Sequence, residues 1–253
     1  MPKLAVIILT KNEEKNIEDC IRSSSFADEI VVIDSGSTDR TQELAEAAGA
    51  RFIVHPMDEA GFAGQRNFAL RQTDADWIFY LDADERITLE AATEIQIVVQ
   101  RNEPAAWQIK RSNIVFGKRM NYGGHRPDYV ARFFPHDGIH WRGNVHEGIE
   151  TDLPIKKLTH IIEHYTYTTW YQYFEKFNQY TALAAQALSR KGNKVSQAAA
   201  FGHAFAAFFR DYILRRGFMD GFLGLVMSIM AGIYTLVKYL KAGNINRLQQ
   251  KGQ

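Results

Sequence analysis

Four short apolar runs, each followed by an amphipathic stretch, constrain the first hundred residues more tightly than any other feature of the sequence. The runs are Leu4 to Leu9, Ile30 to Ile33, Arg51 to Val54 and Trp77 to Leu81, and each reads as a buried strand. Helical spacing falls between and after them, near residues 14–24, 40–48, 64–72 and 88–101. Ser37-Thr38-Asp39 offers an N-cap to the second helix and Gly49 a left-handed stop. Runs that are apolar at every position belong to strands covered on both faces. The alternation therefore predicts an α/β fold with a mostly parallel, Rossmann-like sheet and helices on each side.

From about residue 105 the rhythm gives way to longer strand-like pieces rich in Arg, His and aromatics, with turns at Gly117, Gly123-Gly124, Pro135 and Gly138. From about Tyr167 the pattern is helical to the end, broken at Gly192-Asn193 and at Gly217. A length of 253 residues suits one sizeable core with an appendage. The expected division is a domain over 1–166, in halves 1–104 and 105–166, and a helical extension over 167–253.

The extension differs from the rest in charge. Residues 1–150 hold 17 Lys+Arg against 24 Asp+Glu, whereas residues 151–253 hold 13 against 5. Its last helix spaces Phe222, Leu225, Val226, Ile229, Met230, Ile233, Leu236, Val237 and Leu240 by threes and fours. The charge-free window, 221–237, has 17 residues and falls short of the roughly 20 that a spanning helix needs. An amphipathic helix lying in a membrane interface is expected, with an oligomer seam or helix-packing core as alternatives. The preceding helix sets Phe201, Phe205, Phe208 and Tyr212 on one face, with Arg210, Arg215 and Arg216 close by. These basic residues share helices with apolar faces, so nucleic acid is not an expected partner. A single cysteine, Cys20, and a strand-like start without a leader's cleavage pattern point to a reducing cytoplasm.

Ligands of open α/β sheets bind outside the carboxyl ends of the strands. After the first run come Thr10, Asn12 and Glu13, after the second Asp34, Ser35 and Gly36, and after the fourth Asp82, Ala83, Asp84 and Glu85. Carboxylates crowded on one edge raise each other's pKa unless a cation or donors compensate. Asp-x-Asp suits Mg2+ or Mn2+, which take one or two carboxylates and leave positions for phosphate oxygens. Neither Gly-x-Gly-x-x-Gly nor a P-loop is present.

Four segments, in order, resemble the inverting glycosyltransferase family 2. They are Val6-Ile-Ile-Leu-Thr-Lys-Asn-Glu-Glu14, Ile30-Val-Val-Ile-Asp-Ser-Gly-Ser-Thr-Asp39, Gly64-Gln-Arg-Asn-Phe68 and Phe79-Tyr-Leu-Asp-Ala-Asp-Glu85. The resemblance implies a GT-A fold, a nucleotide-diphosphate sugar donor and a divalent cation, with 1–104 as the donor half and 105–166 as the acceptor side. It also implies that Thr10, Asn12 and Glu13 line the nucleotide pocket, that Asp34 meets uracil or ribose and that Arg66 approaches the nucleotide. Asp84 would be the principal metal ligand, with Asp82 beside it. Capping and turn chemistry is the competing account of Thr10, Asn12 and Asp34.

An inverting transfer needs a base for the acceptor hydroxyl. The candidate is Glu147 in Trp141-Arg-Gly-Asn-Val-His-Glu147, which resembles the Val-His-Glu of a branch that includes lipopolysaccharide-core β-1,4-glucosyltransferases. The tail segment Arg215 to Gly224 resembles that branch more loosely, and the Gln-x-x-Arg-Trp of processive polymerases is absent, which favours a single addition. Six of eight histidines lie between 125 and 164. Without His-Glu-x-x-His or cysteine partners they suit polar contacts better than zinc, His125, His146 and His164 above all. Arg126 and Arg132 are candidates for gripping phosphate.

The expected activity is metal-dependent transfer of a hexose, glucose from UDP-glucose, to a lipopolysaccharide-core sugar at the inner face of the membrane, by a peripheral enzyme for which a homo-oligomer is one option. Transfer to a polyprenyl phosphate or a peptide side chain is the alternative acceptor chemistry. A noncatalytic binding module is countered by Asp82, Asp84 and Glu147 occurring together.

Overall fold

The structure is a computed structural model that describes residues 1–58, 61–143, 148–190 and 197–251. The chain divides into two compact units, one of residues 1–112 and 128–164 and the other of 113–127 and 165–253.

The first unit begins with β1 (Leu4–Thr10), α1 (Ile17–Ser23), β2 (Glu29–Asp34), α2 (Thr41–Ala47), β3 (Arg51–Val54), α3 (Gly61–Leu70) and β4 (Trp77–Asp82). Then follow β5 (Glu85–Ile87), α4 (Leu89–Arg101), β6 (Ala106–Val115), β7 (Lys118–Arg119), β8 (Asp128–Pro135), β9 (His140–Arg142), β10 (Gly148–Glu150) and β11 (Ile155–Tyr167). Of these, β7 and the far ends of β6 and β11 belong to the second unit.

Among the described residues the main sheet runs β3-β2-β1-β4-β8-β6-β11-β5, with β9 and β10 forming a separate pair. The four strands expected from the apolar runs are parallel neighbours, and β8 then joins β4 antiparallel. In β1 and β4 both faces are buried, which is why those runs are apolar throughout. Leu4, Val6 and Ile8 of β1 and Phe79 and Leu81 of β4 pack with α1 and α4 through Ile17, Ile21, Ile95 and Val99. Ala5, Ile7 and Leu9, with Ile78 and Tyr80, pack on the other face with Ala63 and Ala69 of α3 and with Phe134 and Trp141. Each fully buried Ile, Leu or Phe side chain contributes roughly 1.5–3 kcal/mol.

Two local expectations differ from the structure. The third run is an edge strand with Arg51 and Val54 exposed, because nothing pairs beyond β3 among the described residues. The second helix starts one residue later than its expected cap, yet Asp39 still accepts the Thr41 N–H at 3.0 Å and does the capping work. Gly49 follows the helix at φ 85°, as a left-handed stop requires.

The second unit contains α5 (Trp170–Arg190), α6 (Gln197–Phe209), a π-helical turn over Arg210–Leu214, a 3-10 turn over Gly217–Asp220 and α7 (Gly221–Lys251). It also takes in the 113–127 segment, where Val115 and Met120 pack with Tyr173 and Met227. The α7 helix does not stop where its charge-free window ends. It continues through Lys238 and Lys241 for 31 residues, and Gly217–Leu248 is long and apolar enough, by length and composition, to cross a membrane. The expected break at Gly192-Asn193 lies outside the described residues.

Candidate functional site

Strand register gathers the first set of polar residues. Thr10 pairs with Asp34 across β1 and β2, and Leu9 pairs with Asp82 across β1 and β4, so three adjacent parallel strands end level with one another. The chain leaves each of them on the same edge of the sheet.

The loops after β1 and β2 are sewn together. Asn12, at φ 55°, accepts the Thr38 N–H at 2.8 Å and donates its own N–H to Ser37 Oγ at 2.7 Å. The Glu13 N–H donates to Thr41 Oγ1 at 2.9 Å, and the Glu13 carboxylate accepts from Asn16 at 2.6 Å. Asp34 is buried, and its carboxylate accepts the N–H groups of Gly36 and Ser37 at 2.9 and 2.8 Å and the Ser37 hydroxyl at 2.5 Å. Asn12 and Asp34 thus do turn chemistry here, tying the loop after β1 to the loop after β2. Thr10 Oγ1 is buried without a hydrogen-bond partner among the described residues.

Asp82 is clasped from two sides. Arg66 of α3 donates to one carboxylate oxygen at 3.3 Å, and Arg132 of β8 reaches both. The Arg66 guanidinium lies 4.7 Å above the Trp141 ring. Trp141 is held by a reciprocal pair of hydrogen bonds to Asn67, at 2.8 and 3.0 Å. Beneath the clasp Glu85, fully buried, accepts from Arg132 at 3.0 Å, from Arg111 at 3.5 Å and from the Asp82 N–H at 3.1 Å.

The electrostatics follow from this geometry. Burial alone would raise Asp82, but Arg132 and Arg66 outweigh it and hold the carboxyl well below its ordinary range. Burial pushes Glu85 upward against the pull of Arg132. Burial and the like charge of Arg132 bring Arg66 down to about 10, while Arg132, burial notwithstanding, is raised by Asp82 and Glu85.

Asp84 has a different neighbour. Its carboxylate lies 3.4 Å from His164 Nε2 on β11. Burial lowers the imidazole's hold on a proton, but the Asp84 hydrogen bond and charge outweigh it and raise His164. The two carboxylates of Asp82-Ala83-Asp84 are therefore chemically distinct, one neutralised by guanidinium and one beside an imidazole.

Several other expectations fare differently. Arg132, expected to grip phosphate, is buried and committed to Asp82 and Glu85. Arg126 belongs to the second unit and donates to the Gly123 carbonyl at 3.1 Å. His146 and Glu147 lie outside the described residues. The spaced histidine pairs go to separate partners, His136 to Asp137 and Leu70, His160 to Glu94 and His164 to Asp84. Glu85 and Arg111 were not singled out as site residues. Glu85 adjoins the motif, but only the strand pairing reveals its burial.

Among the described residues no group of three or more His, Cys, Asp or Glu could hold a metal unaided. A cation site of Mg2+ or Mn2+ type needs less, because phosphate oxygens and water complete it. One carboxylate and one imidazole at 3.4 Å fit that requirement.

Comparison with known proteins bears on the same segments. The model of glycosyl transferase family 2 matches residues 5–180. An uncharacterized glycosyltransferase of Rickettsia bellii is 30% identical over 274 residues, covering 97% of this chain and 87% of its own. The lipopolysaccharide core biosynthesis glycosyltransferase LpsC of Rhizobium meliloti is 37% identical over 126 residues, 46% of each chain. Among solved structures, glucosyl-3-phosphoglycerate synthase from Mycobacterium tuberculosis, in complex with Mn2+, UDP and glucosyl-3-phosphoglycerate, matches 46% of this chain and 45% of its own at 26% identity and a TM-score of 0.35. The family match takes in the strands and loops that carry Thr10, Asp34, Arg66, Asp82, Asp84 and Arg132, and the chain, an α/β protein, belongs to glycosyl transferase family 2 and is a glycosyltransferase.

Proposed function

We propose that the protein transfers a hexose, glucose from UDP-glucose, with inversion and in single additions, to a sugar of a lipopolysaccharide core. The observation that carries this reading is the division of labour in Asp82-Ala83-Asp84. A sugar diphosphate brings two needs to one place, charge neutralisation and fixed orientation, and the two carboxylates sit in surroundings suited to each.

Asp84 and His164 would hold a divalent cation, Mg2+ or Mn2+, which when bound stabilises the departing nucleoside diphosphate. Asp82, kept ionised by Arg66 and Arg132, accepts hydrogen bonds from donor hydroxyls. Arg66, stacked on Trp141, lies beside Asp82 and approaches the nucleotide. Thr10 Oγ1 donates or accepts within the nucleotide pocket, and the loops braced by Asn12, Glu13 and Asp34 form its wall. The acceptor proton is taken by Glu147, and His146 contacts the acceptor.

The acceptor class draws on the likeness to LpsC, which covers part of each chain. An inner-membrane location, peripheral and on the cytoplasmic side, is drawn from the apolar, basic helical unit. The test incubates the protein with UDP-glucose, Mn2+ and core oligosaccharide, follows UDP release and reads the anomeric configuration of the product by NMR. Asp84→Ala is expected to lower turnover by at least about a hundredfold, and Glu147→Gln to keep UDP binding while losing transfer. Undiminished turnover of Asp84→Ala removes the cation assignment, and a retained anomeric configuration removes the inverting one.

A further inference from the structure

Residues 197–237 of the second unit turn their acids inward and several large aromatics outward. Between residues 197 and 237 the acids are Asp211 and Asp220, each 4% exposed. Asp211 accepts from Ser228 Oγ at 3.1 Å and pairs with Arg215 at 3.7 Å. Asp220 accepts the N–H groups of Asn121 and Tyr122 at 3.1 and 2.9 Å. The charges left outside are basic, with Arg210 and Arg216 exposed and Arg215 partly so.

The apolar side chains go the other way. Phe201, Phe205 and Phe209 recur every four residues along α6, with 63% and 68% of Phe201 and Phe205 in solvent. The other side of α6, which carries the buried Ala200 and Ala207, faces inward, and α7 also approaches the flank next to Phe201. A Cβ on Gly232 of α7 would stand 3.1 Å from the Ala204 carbonyl oxygen and 3.4 Å from Phe208 Cβ. Phe208 and Tyr212, expected on the same face as Phe201, instead stack on each other at 5.5 Å and are half-buried. Leu214, Phe218 and Phe222 continue the exposed set through the turn into α7. Large apolar side chains bordered by arginine, with every nearby acid buried, complement an anionic lipid surface.

We propose that this unit lies on an anionic bilayer surface without crossing it. Phe201, Phe205, Phe209, Leu214, Phe218 and Phe222 enter the boundary between headgroups and acyl chains, and Arg210 and Arg216 meet lipid phosphates. This deepens the membrane placement proposed above and rests on it. The in-plane arrangement follows from what α7 is tied to. Lys241 donates to Asn178 and Thr181 of α5, Ser189 bonds Asn246 at 2.5 Å, and the Tyr234 hydroxyl bonds the Tyr180 carbonyl at 3.1 Å. Drawing α7 through hydrocarbon would bring α5 with it, Glu175 and Lys176 included.

The test uses the full chain and sedimentation with vesicles of phosphatidylcholine, alone or mixed with phosphatidylglycerol. Binding is expected only to the mixed vesicles, weakened by salt and about fivefold for each of Arg210→Gln and Arg216→Gln. Phe201→Ser with Phe205→Ser is expected to abolish it while leaving helical content and melting temperature unchanged. Should that variant unfold, Phe218→Ser with Phe222→Ser serves in its place. Asp84→Ala is expected to bind vesicles like the wild type, so loss of transfer and loss of membrane binding are read separately. Indifference to phosphatidylglycerol, wild-type binding by both serine pairs, or resistance to alkaline carbonate extraction overturns the proposal, the last in favour of a spanning α7. A lipid-free dimer that the serine substitutions dissociate, without vesicle binding by the wild type, assigns the face to self-association instead.

Discussion

Replacing Arg132 by methionine probes the clasp around Asp82 directly. Arg66, Arg132, Asp82 and Glu85 sum to zero charge, with Arg111 at the edge turned mainly to Asp128 at 2.9 Å. Asp82 keeps 34% of its side chain in solvent and can be rescreened by water, whereas Glu85 keeps none. The penalty therefore falls on Glu85. Removing one partner of a buried pair costs roughly 3–5 kcal/mol. Arg111 remains 3.5 Å from Glu85, which places Arg132→Met near the lower end, about 3 kcal/mol. Glu85→Gln alone unbalances the cluster in the other sense, and the double variant restores neutrality. The double should be less destabilised than the two singles added together by at least about 1 kcal/mol. Urea unfolding followed by tryptophan fluorescence reports this, since Trp77, Trp107 and Trp141 all lie in the first unit. A loss below about 1 kcal/mol for Arg132→Met, or simple additivity of the pair, refutes the reasoning.

Two further perturbations follow from other parts of the structure. Glu94 of α4 accepts the N–H groups of Thr159 and His160 on β11 at 2.8 and 3.0 Å, and although burial acts to raise it, these hydrogen bonds hold its carboxyl below the ordinary value. Glu94→Gln is expected to cost about 1–2 kcal/mol at neutral pH. A depressed folded pKa gives stability that is present above the unfolded value of about 4.3 and fades as pH falls, so wild type and variant should converge in acid melts. A Cβ at Gly224 would land on the carbonyl oxygen of Gly217, and Gly224→Ala should lower the stability of the helical unit by about 3 kcal/mol or more, read from thermal melts.

The parallel strands were legible because burial on both faces leaves an unbroken apolar run, as in Val6 to Leu9 or Trp77 to Leu81. Their carboxyl-end residues were legible for the same reason, since the run shows where the strand stops. The guanidinium clasp was not. Arg132 reaches Asp82 only because β8 inserts antiparallel beside β4, some fifty residues later in the chain, and no local pattern records that pairing. Glu85 likewise reads as one more acid after a strand until β5 pairs with β11 and buries it. Asp34 shows the reverse limit, since Asp-Ser-Gly-Ser is a good turn sequence, and the structure gives its carboxylate to that turn. The reading of the tail as helical to the end holds for α7, which runs on past its charge-free window with Lys241 inside the helix and donating to α5.

The discontinuity of the helical unit has a consequence for anyone trimming or recombining this protein. Its aspartates hold a hairpin that the chain makes a hundred residues earlier, Asn121 and Tyr122 on Asp220. Cutting at residue 167 would not release an independent module but would strand Val115 and Met120 without their packing partners. A tail borrowed from a relative must arrive with its own copy of residues 113–127, so insertions in that hairpin and changes in the 211–220 turn are expected to be inherited together.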